Sequence, residues 1–474
     1  MEQMSFKKLK SLLEEHGQQH LLNFWSEISE DEKKVLVKDI ANLNLSQVIA
    51  CFEEAMSIHQ NKEKLPDDKI KPVPPNVMES ISNLTSDKIS FYENLGLREI
   101  ANGNVAVIIL AGGQGTRLGV NYPKGMYNIN LPSNRSLFHI QVLRIRRLHD
   151  MAREKFGECK DLTLYIMTSD ATHESTLRYF EKNDHFGIDK SKIVIFKQNT
   201  FPCFTFDGKI ILDEKYKISR APDGNGGLYE ALKDKGMLKD MDERGIQSIH
   251  VFSVDNVLVK VADPVFLGYC IARSADCGVK VVDKRSSNEA VGVVCQVDGL
   301  FKVVEYSEIS NATAELEDEN GLVFNAGNIC NHYFTATFLN EISEKHNNKV
   351  DLHIAKKKIP FVNENGTKCQ PSVANGVKIE KFVFDVFKYS QNFVVWKVLR
   401  ENEFSPLKNS DLDEIDCPLT AKRDILNLHE KWLVDAGATN VDGDVEICPL
   451  LSYSGENLAH IAKDNCFKGP LCLM

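Results

Sequence analysis

The sequence lacks the features of several common protein classes. Its 57 lysines and arginines are outnumbered by 67 aspartates and glutamates, and the net charge is −10. A general nucleic-acid binder would carry a basic surplus. The longest apolar run, residues 105–111, is far shorter than the roughly 20 residues of a membrane-spanning helix. The first residues contain no apolar stretch typical of a secretory signal. We therefore expect a cytoplasmic protein that binds neither nucleic acid nor membranes.

The twelve cysteines form neither a disulfide framework nor a zinc motif. They are scattered from Cys51 to Cys472, and the closest pairs lack C-x-x-C spacing, so we expect reduced thiols. H-E-x-x-H and G-x-S-x-G are also missing, which excludes a zincin and a nucleophile elbow. His250 lies in an apolar stretch and Cys203 between Pro202 and Phe204. We interpret His250 as a core histidine and Cys203 as a buried, inert thiol, with a reactive thiol as the alternative for Cys203.

What the sequence does contain is the alternation of an α/β protein. Its 474 residues, 43% hydrophobic and 26% charged, suit a globular chain of two to four domains. Residues 5–60 have helical patterning, with a capping box at Ser29 and Glu32. Continuous apolar runs, typical of buried parallel strands, lie at residues 105–110, 162–167, 193–196 and 249–254. Helical stretches at 137–148 and 173–180 lie between them. We predict a mixed, mostly parallel sheet.

Two later features complete the predicted organisation. Residues 291–297 and 300–306 are apolar stretches separated by Asp298 and Gly299, the signal of a hairpin with a type I′ turn. After about residue 400 the apolar pieces are short and turn residues are frequent. We predict a helical N-terminal domain at residues 1–100, a central α/β domain at 101–405 and a small C-terminal domain at 406–474. The sequence indicates no oligomeric state.

The most informative segment is LAGGQGTRLG at residues 110–119, followed by YPKG at 122–125. It begins where the first predicted strand ends, which is where ligands bind in open α/β sheets. Its glycines let backbone N–H groups approach phosphate oxygens, while Arg117 and Lys124 supply cations. The spacing matches neither G-x-G-x-x-G nor a Walker A loop. A glycine-rich turn with two surface cations is the alternative, but cations beside such a loop favour a phosphate site.

These motifs resemble the signature of the eukaryotic UDP-N-acetylhexosamine pyrophosphorylases. Further matching segments are APDGNGGLY at 221–229, VDN at 254–256, VVEYSE at 303–308, FNAGN at 324–328, KFVFD at 381–385 and FSPLKN at 404–409. The resemblance covers essentially the whole chain and implies a Rossmann-like nucleotidyltransferase core within the predicted catalytic domain. UDP-glucose pyrophosphorylases share this fold but have a different glycine loop.

The resemblance implies roles for charged residues. Arg117, Lys124 and Lys408 would be catalytic, holding phosphates and stabilising the leaving group. Asp255, at the end of a predicted strand, would bind Mg²⁺ or Mn²⁺. Each residue also has a simpler interpretation, because turn aspartates are common at strand ends and a lone lysine is usually solvated.

The same resemblance implies contacts to the base and the sugar. The nucleotide-binding residues would be Ala111, Gly112, Gly113, Gln198 and Gly224. The sugar-binding residues would be Asn225, Gly292, Glu305, Tyr306, Asn328, Phe382 and Phe384. We expect at least one of the last two phenylalanines to pack in the core, because alternate residues of a strand face opposite ways.

The implied reaction joins UTP and N-acetylglucosamine-1-phosphate to give UDP-N-acetylglucosamine and pyrophosphate. N-acetylgalactosamine-1-phosphate is an alternative acceptor, since the two sugars differ in one hydroxyl. A non-catalytic UDP-sugar-binding module on the same fold is a second hypothesis, and the presence of Arg117, Lys124, Asp255 and Lys408 speaks against it. A nicotinamide-dependent oxidoreductase is a third, which the spacing of the glycine loop disfavours.

Overall fold

The computed structural model describes residues 6–60 and 66–474, and the chain folds into two units. The small unit contains Met1–Glu63, Gln198–Leu228 and Asn348–Asp385, and the large unit contains Lys64–Lys197, Tyr229–Asn347 and Val386–Met474. This division differs from the three consecutive domains predicted from the sequence, because each unit is assembled from three separate stretches. Residues 1–5 and 61–65 of the predicted N-terminal domain lie outside the described residues.

A mixed sheet organises the large unit. Its main path runs, in spatial order, through Met78–Ser80, Phe393–Lys397, Cys277–Asp283, Ala326–Thr335, Ser248–Ser253, Val105–Leu110, Thr163–Thr168 and Ile193–Lys197. All neighbours along this path are parallel except those of Ala326–Thr335, which is antiparallel to the strands on both sides. The predicted α/β fold class with a mostly parallel sheet is therefore confirmed.

The predicted parallel strands form one side of this sheet. All six residues of Val105–Leu110 are buried, as expected of a strand covered on both faces. The strands Ser248–Ser253, Thr163–Thr168 and Ile193–Lys197 follow the predictions within one residue at either end. Because parallel strands end at the same edge of the sheet, the loops after residues 110 and 253 leave it side by side.

The predicted hairpin extends the sheet. Val293–Val297 pairs with Leu300–Val304, and Val293 also pairs with Gly327 of the antiparallel strand. Asp298 and Gly299 both have positive φ, 51° and 80°, which identifies the type I′ turn expected from the Asp-Gly sequence. The short strand Ile70–Lys71 pairs with the outer side of the hairpin.

Helices cover both faces of the sheet. The α-helices with all or nearly all of their residues in the large unit are Ser86–Asn102, Leu137–Phe156, His173–Lys182, Leu228–Asp234, Met237–Glu243, Pro264–Ala272, Asn311–Ala314, Ala336–Glu341, Arg400–Glu403, Pro418–Asp435 and Ala459–Ala462. Ser86–Asn102 packs so closely on Pro264–Ala272 that a Cβ on Gly268 would lie 1.9 Å from the Tyr92 carbonyl oxygen. This packing explains why residue 100 does not separate two units.

The C-terminal stretch is likewise part of the large unit. After Pro418–Asp435, two parallel strand pairs form: Asn440–Asp442 with Cys466–Lys468, and Val445–Ile447 with Leu471–Leu473. The Ser133 hydroxyl donates to Glu446 at 2.7 Å, and the Tyr453 hydroxyl donates to the Val261 carbonyl at 2.9 Å. Such contacts explain why the unit continues past residue 405.

The small unit combines the N-terminal helices with short strands. Its helices are Phe6–Glu15, Glu30–Ala41 and Leu45–Gln60. Its strands are Thr200–Pro202, Phe204–Thr205, Leu212–Glu214, Lys217–Ile218, Arg220–Pro222, His353–Lys357, Phe361–Val362, Lys368–Cys369 and Gly376–Glu380. The predicted capping box is present, since Ser29 and Glu32 each bond the backbone N–H of the other.

A core shared by the three stretches of chain holds the small unit together. Leu9 and Leu36 of the helices are fully buried in one cluster with Phe204 and Val377 of the strands. In the part of the chain that the structure describes, no single helix is long and apolar enough to span a membrane. The bent pair Glu30–Ala41 and Leu45–His59, at 62°, passes that test by length and composition.

Candidate active site

The glycine-rich loop is closed by hydrogen bonds within the large unit. Ala111 is buried, and its N–H donates to the Met167 carbonyl at 2.8 Å. The Ser169 hydroxyl donates to the Gly112 carbonyl at 2.8 Å. The Lys124 N–H returns to the Gly113 carbonyl at 3.2 Å. These bonds use the N–H of Ala111 and the carbonyls of Gly112 and Gly113, and they hold the start of the loop against the end of strand Thr163–Thr168.

The loop places Lys124 beside Asp255. Lys124 Nζ lies 3.5 Å from Asp255 Oδ2, and the two side chains are 18% and 17% exposed. Their segments meet because they leave neighbouring parallel strands, Val105–Leu110 and Ser248–Ser253, at the same edge. A cation and a carboxylate thus sit together at the strand ends, where the sequence predicted a phosphate site and a metal ligand.

Lys408 reaches this edge from a distant part of the chain. The Leu407 N–H donates to the Asp255 carbonyl at 2.9 Å, which fixes residue 408 next to the Asp255 turn. The pKa of the nearby Cys330 thiol is raised to about 12, mainly by burial; the negative charge of Asp255 adds to this rise, and the positive charge of Lys408 opposes it. Both charges therefore act on one thiol. The structure brings Lys408 close to Asp255, although the sequence alone favoured a solvated lysine.

Arg117 occupies a different environment. It lies in the exposed turn Thr116–Leu118 and forms no hydrogen bond or ion pair with any described residue. Its five N–H donors are available to a ligand, and a guanidinium matches two phosphate oxygens. Exposure also means that its removal should leave the fold intact.

Three of the predicted sugar-binding residues in the large unit are neighbours. The Asn328 N–H donates to the Gly292 carbonyl at 2.8 Å. A Cβ on Gly292 would lie 2.9 Å from Glu305 Oε1. Tyr306 follows directly and is 54% exposed. These three residues place an amide and a carboxylate beside a glycine that leaves no room for a side chain, and the exposed Tyr306 ring comes next in the chain.

The small unit contains the other predicted residues. The Gln198 amide donates to the Gly224 carbonyl at 3.2 Å. Gly224 has φ +85°, and a Cβ there would meet the Lys381 carbonyl oxygen at 2.3 Å, so only glycine fits. Asn225 Oδ1 accepts a hydrogen bond from the Val383 N–H at 2.9 Å. These bonds join the loop after Arg220–Pro222 to the segment that carries the predicted phenylalanines.

The expectation for Phe382 and Phe384 rested on a strand, and that premise is wrong. Strand Gly376–Glu380 ends before them, and the chain then turns, because the Asp385 carboxylate accepts a bond from the Phe382 N–H at 2.7 Å. The two rings are consequently neighbours, 5.1 Å apart, instead of facing opposite ways. Phe384 is 8% exposed and packs in the core, as expected of one of them, while Phe382 is half-buried.

Two supporting residues were missed by the sequence reasoning. The His353 ring nitrogen Nε2 lies 3.0 Å from Asp385 Oδ2, and the His353 ring packs 4.3 Å from that of Phe382. Asp385 ends the matching segment KFVFD and could have been singled out there. No local pattern marks His353.

The interpretations of the buried residues are confirmed. His250 is fully buried, and its ring nitrogens bond Asn331 at 2.6 Å and the Ala262 N–H at 2.9 Å. Burial lowers the pKa of His250 to about 4, so it stays neutral near pH 7. Cys203 is 1% exposed, and burial raises the pKa of its thiol.

The described residues contain no group of three or more His, Cys, Asp or Glu side chains that could hold a metal ion. Asp255 nevertheless fits Mg²⁺, which often takes one or two carboxylates and completes its shell with water and substrate phosphates. Its carboxylate lies at a strand end and is 17% exposed, so a ligand phosphate and water could reach the same ion.

A family model and several known proteins match this chain over most of its length. A family model described as UTP–glucose-1-phosphate uridylyltransferase matches residues 45–444. UDP-N-acetylhexosamine pyrophosphorylase-like protein 1 of Xenopus tropicalis is 46% identical, over 95% of this chain and 93% of that protein. UDP-N-acetylglucosamine pyrophosphorylase of Saccharomyces cerevisiae is 41% identical, over 98% of this chain and 97% of that protein.

The fold agrees with that of solved relatives. The crystal structure of uridine diphosphate N-acetylglucosamine pyrophosphorylase from Trypanosoma brucei superimposes with a TM-score of 0.84 at 29% identity. The match covers 97% of this chain and 95% of that one. The two chains therefore share a fold over nearly the full length of both proteins.

Proposed function

Because the chain belongs to the UTP–glucose-1-phosphate uridylyltransferase family, we propose that it is a UTP:N-acetyl-α-D-glucosamine-1-phosphate uridylyltransferase. The substrates are UTP and the sugar phosphate, and the products are UDP-N-acetylglucosamine and pyrophosphate. The observation that carries the proposal is the meeting of Lys124, Asp255 and the Lys408 segment beside the glycine loop. Relatives named UDP-N-acetylglucosamine diphosphorylase or pyrophosphorylase support the choice of sugar.

The reaction is an in-line attack of the sugar-phosphate oxygen on the α-phosphorus of UTP. That oxygen is already anionic, so no general base is needed. The barrier comes from repulsion between two polyanions and from charge that builds up on the leaving pyrophosphate. Catalysis is then a matter of positioning and electrostatic stabilisation, for which cations and amides suffice.

The three cationic side chains have different roles in this stabilisation. Arg117, exposed and without a protein partner among the described residues, binds phosphate oxygens of UTP. Lys124 is largely buried beside Asp255 and stabilises the leaving group from a fixed position. Lys408, held by the backbone bond from Leu407 to Asp255, neutralises the attacking sugar phosphate. Each donor contributes on the order of 3–4 kcal/mol to the transition state.

Asp255 would hold Mg²⁺ or Mn²⁺, and the bound ion would neutralise phosphate charge. Lys124 lies 3.5 Å from the Asp255 carboxylate and orients it in the absence of substrate. The contacts to the rest of the ligands follow the sequence expectations. Ala111, Gly112, Gly113, Gln198 and Gly224 would bind the nucleotide; Asn225, Gly292, Glu305, Tyr306, Asn328 and Phe382 would surround the sugar, while Phe384 would support Phe382 from the core.

We also propose a cytoplasmic location. All twelve cysteines are free thiols, and six of them are buried. Free thiols in this number suit a reducing compartment.

The test is pyrophosphate release from UTP with Mg²⁺, run in parallel with three sugar phosphates. We expect release with N-acetylglucosamine-1-phosphate, and the rate with N-acetylgalactosamine-1-phosphate measures the selectivity at one hydroxyl. Release mainly with glucose-1-phosphate would overturn the choice of sugar. No release with any of them, from protein that still binds UDP-N-acetylglucosamine, would favour a binding module.

A further inference from the structure

A buried amide joins the turn that carries Asp255 to the segment that carries Lys408. Asn256 is 3% exposed. Its Nδ2 donates to the Glu403 carbonyl at 2.7 Å, and its Oδ1 accepts from the Ser405 N–H at 3.0 Å. One side chain therefore uses both its donor and its acceptor on a stretch 147 to 149 residues further along the chain.

The backbone contact at this place is short. The Val257 N–H donates to the Ser405 carbonyl at 3.1 Å, and the Leu407 N–H donates to the Asp255 carbonyl at 2.9 Å. These two bonds make up an isolated antiparallel bridge between Asn256 and Pro406, outside the strands of the sheet. Since so few backbone bonds align the two segments, the side-chain bonds of Asn256 form a large part of the connection.

The far end of the connection is fixed in the core. The Glu403 side chain is 2% exposed and forms an ion pair with the fully buried Lys280, and Lys260 Nζ lies 3.7 Å from its other oxygen. Lys280 belongs to strand Cys277–Asp283 of the central sheet and also pairs with Asp263 at 2.5 Å. Asn256 thus aligns the two segments against a stretch that is itself anchored to the sheet.

We propose that Asn256 is a positioning residue for uridylyl transfer, setting Asp255 and Lys408 at their working separation. The inference rests on the proposed function, because that reaction uses both charges. A displacement of about 1 Å can cost on the order of 10²-fold in rate when catalysis depends on alignment. Asn256 does not contact the reacting atoms; it acts through Asp255 and the segment that carries Lys408.

The variants are chosen to separate positioning from general stability. Asn256→Ala removes the amide, and Asn256→Asp retains the acceptor for Ser405 but loses the donor to Glu403. The matched control is Asn375→Ala, because Asn375 also bridges backbone groups, accepting from the Ile359 N–H at 2.7 Å and donating to its carbonyl at 2.9 Å. That asparagine lies in the small unit and has no assigned role in the reaction.

The kinetic measurement is steady-state pyrophosphate release. We expect Asn256→Ala to lower kcat by about 10–10²-fold with KM for UTP changed less than about threefold, and Asn375→Ala to leave kcat nearly unchanged. In a Lys408→Ala background, the loss of kcat caused by Asn256→Ala should shrink to about twofold, because the Lys408 side chain that Asn256 positions is gone. The proposal would be overturned if the kcat losses of Asn256→Ala and Lys408→Ala simply multiplied in the double variant. It would also be overturned if Asn256→Ala did not lower kcat.

Hydrogen exchange tests the connection without relying on activity. The amides of Val257 and Leu407 should exchange faster in Asn256→Ala and at the wild-type rate in Asn375→Ala. Unchanged exchange would overturn the role of Asn256 even if activity fell. If the wild-type protein released no pyrophosphate, the proposed function would fail, and exchange would still decide whether Asn256 holds the segments together. If Asn256→Ala does not fold, Asn256→Asp takes its place in both measurements.

Discussion

Replacing Lys280 by methionine tests the buried charges of the large unit. Lys280 is fully buried; its Nζ lies 2.5 Å from Asp263 Oδ2 and also pairs with Glu403. Methionine fills similar space without a charge and leaves two carboxylates that are only 4% and 2% exposed. Removing one partner of a buried ion pair typically costs about 3–5 kcal/mol. We expect the free energy of unfolding to fall by about that amount at pH 7.

The same substitution should change the pH dependence of stability. In the wild-type protein burial disfavours the charged form of Asp263, but Lys280 and Lys260 outweigh burial and hold the pKa of Asp263 below its usual value. Its contribution is present above a pH of about 4 and lost as the pH falls through the folded pKa. Without Lys280, burial should raise that pKa. Asp263 of the Lys280→Met variant then takes up a proton as the pH falls. The difference in free energy of unfolding between wild type and variant should therefore shrink from pH 7 to about pH 5.

Urea unfolding at several pH values measures both effects. Trp396 is fully buried and pairs across the sheet with Lys280, so its fluorescence reports on this region. The control is Lys239→Met, since the Lys239 side chain is 82% exposed and, among the described residues, pairs only with Glu243 one helical turn away. We expect no measurable change in the free energy of unfolding of Lys239→Met. A loss below about 1 kcal/mol for Lys280→Met, or a loss that is constant with pH, would refute the reasoning.

The remaining predictions concern the proposed reaction. Arg117→Ala should lower kcat by about 10²–10³-fold without changing Tm, because the residue is exposed; an equal loss in Arg178→Ala, an exposed arginine on helix His173–Lys182, would count against a specific role. Gly292→Ala should raise KM for the sugar phosphate more than KM for UTP, because the added Cβ would lie 2.9 Å from Glu305 Oε1; equal rises would disprove a sugar-specific effect. Exhaustive chelation should stop pyrophosphate release and added Mg²⁺ should restore it; full activity after chelation would remove the metal role from Asp255.

Local patterns predicted the parts of the fold that depend on local physics. Val105–Leu110 was recognisable because a strand buried on both faces must be apolar throughout. The turn at Asp298 and Gly299 was recognisable because few residue pairs tolerate two positive φ angles. The glycine loop was recognisable because four glycines, Gly112, Gly113, Gly115 and Gly119, follow directly on a buried strand, where ligands bind in open α/β sheets.

Features that depend on distant parts of the chain were not predictable in this way. Strand Ala326–Thr335 lies antiparallel between two strands that come earlier in the sequence, and nothing in its composition records that position. Lys408 looks like any solvated lysine until the bond from Leu407 to Asp255 places it. Asn256 resembles an ordinary turn residue, because its partner Glu403 is 147 residues away. The family resemblance pointed to Lys408. It gave no role for Asn256.

The discontinuity of the small unit has a consequence for biosynthesis. Its helices are made before its strands, and the last stretch of chain that completes their core ends at Asp385. At about 5–20 residues per second, more than 300 residues take on the order of 15–65 s to follow. Throughout that interval the native core around Leu9 and Leu36 is incomplete, because Val377 and Ile379 of that core have not yet been made. The nascent chain should therefore be a substrate for chaperones that shield exposed apolar helices, and truncation before residue 385 should yield aggregating protein.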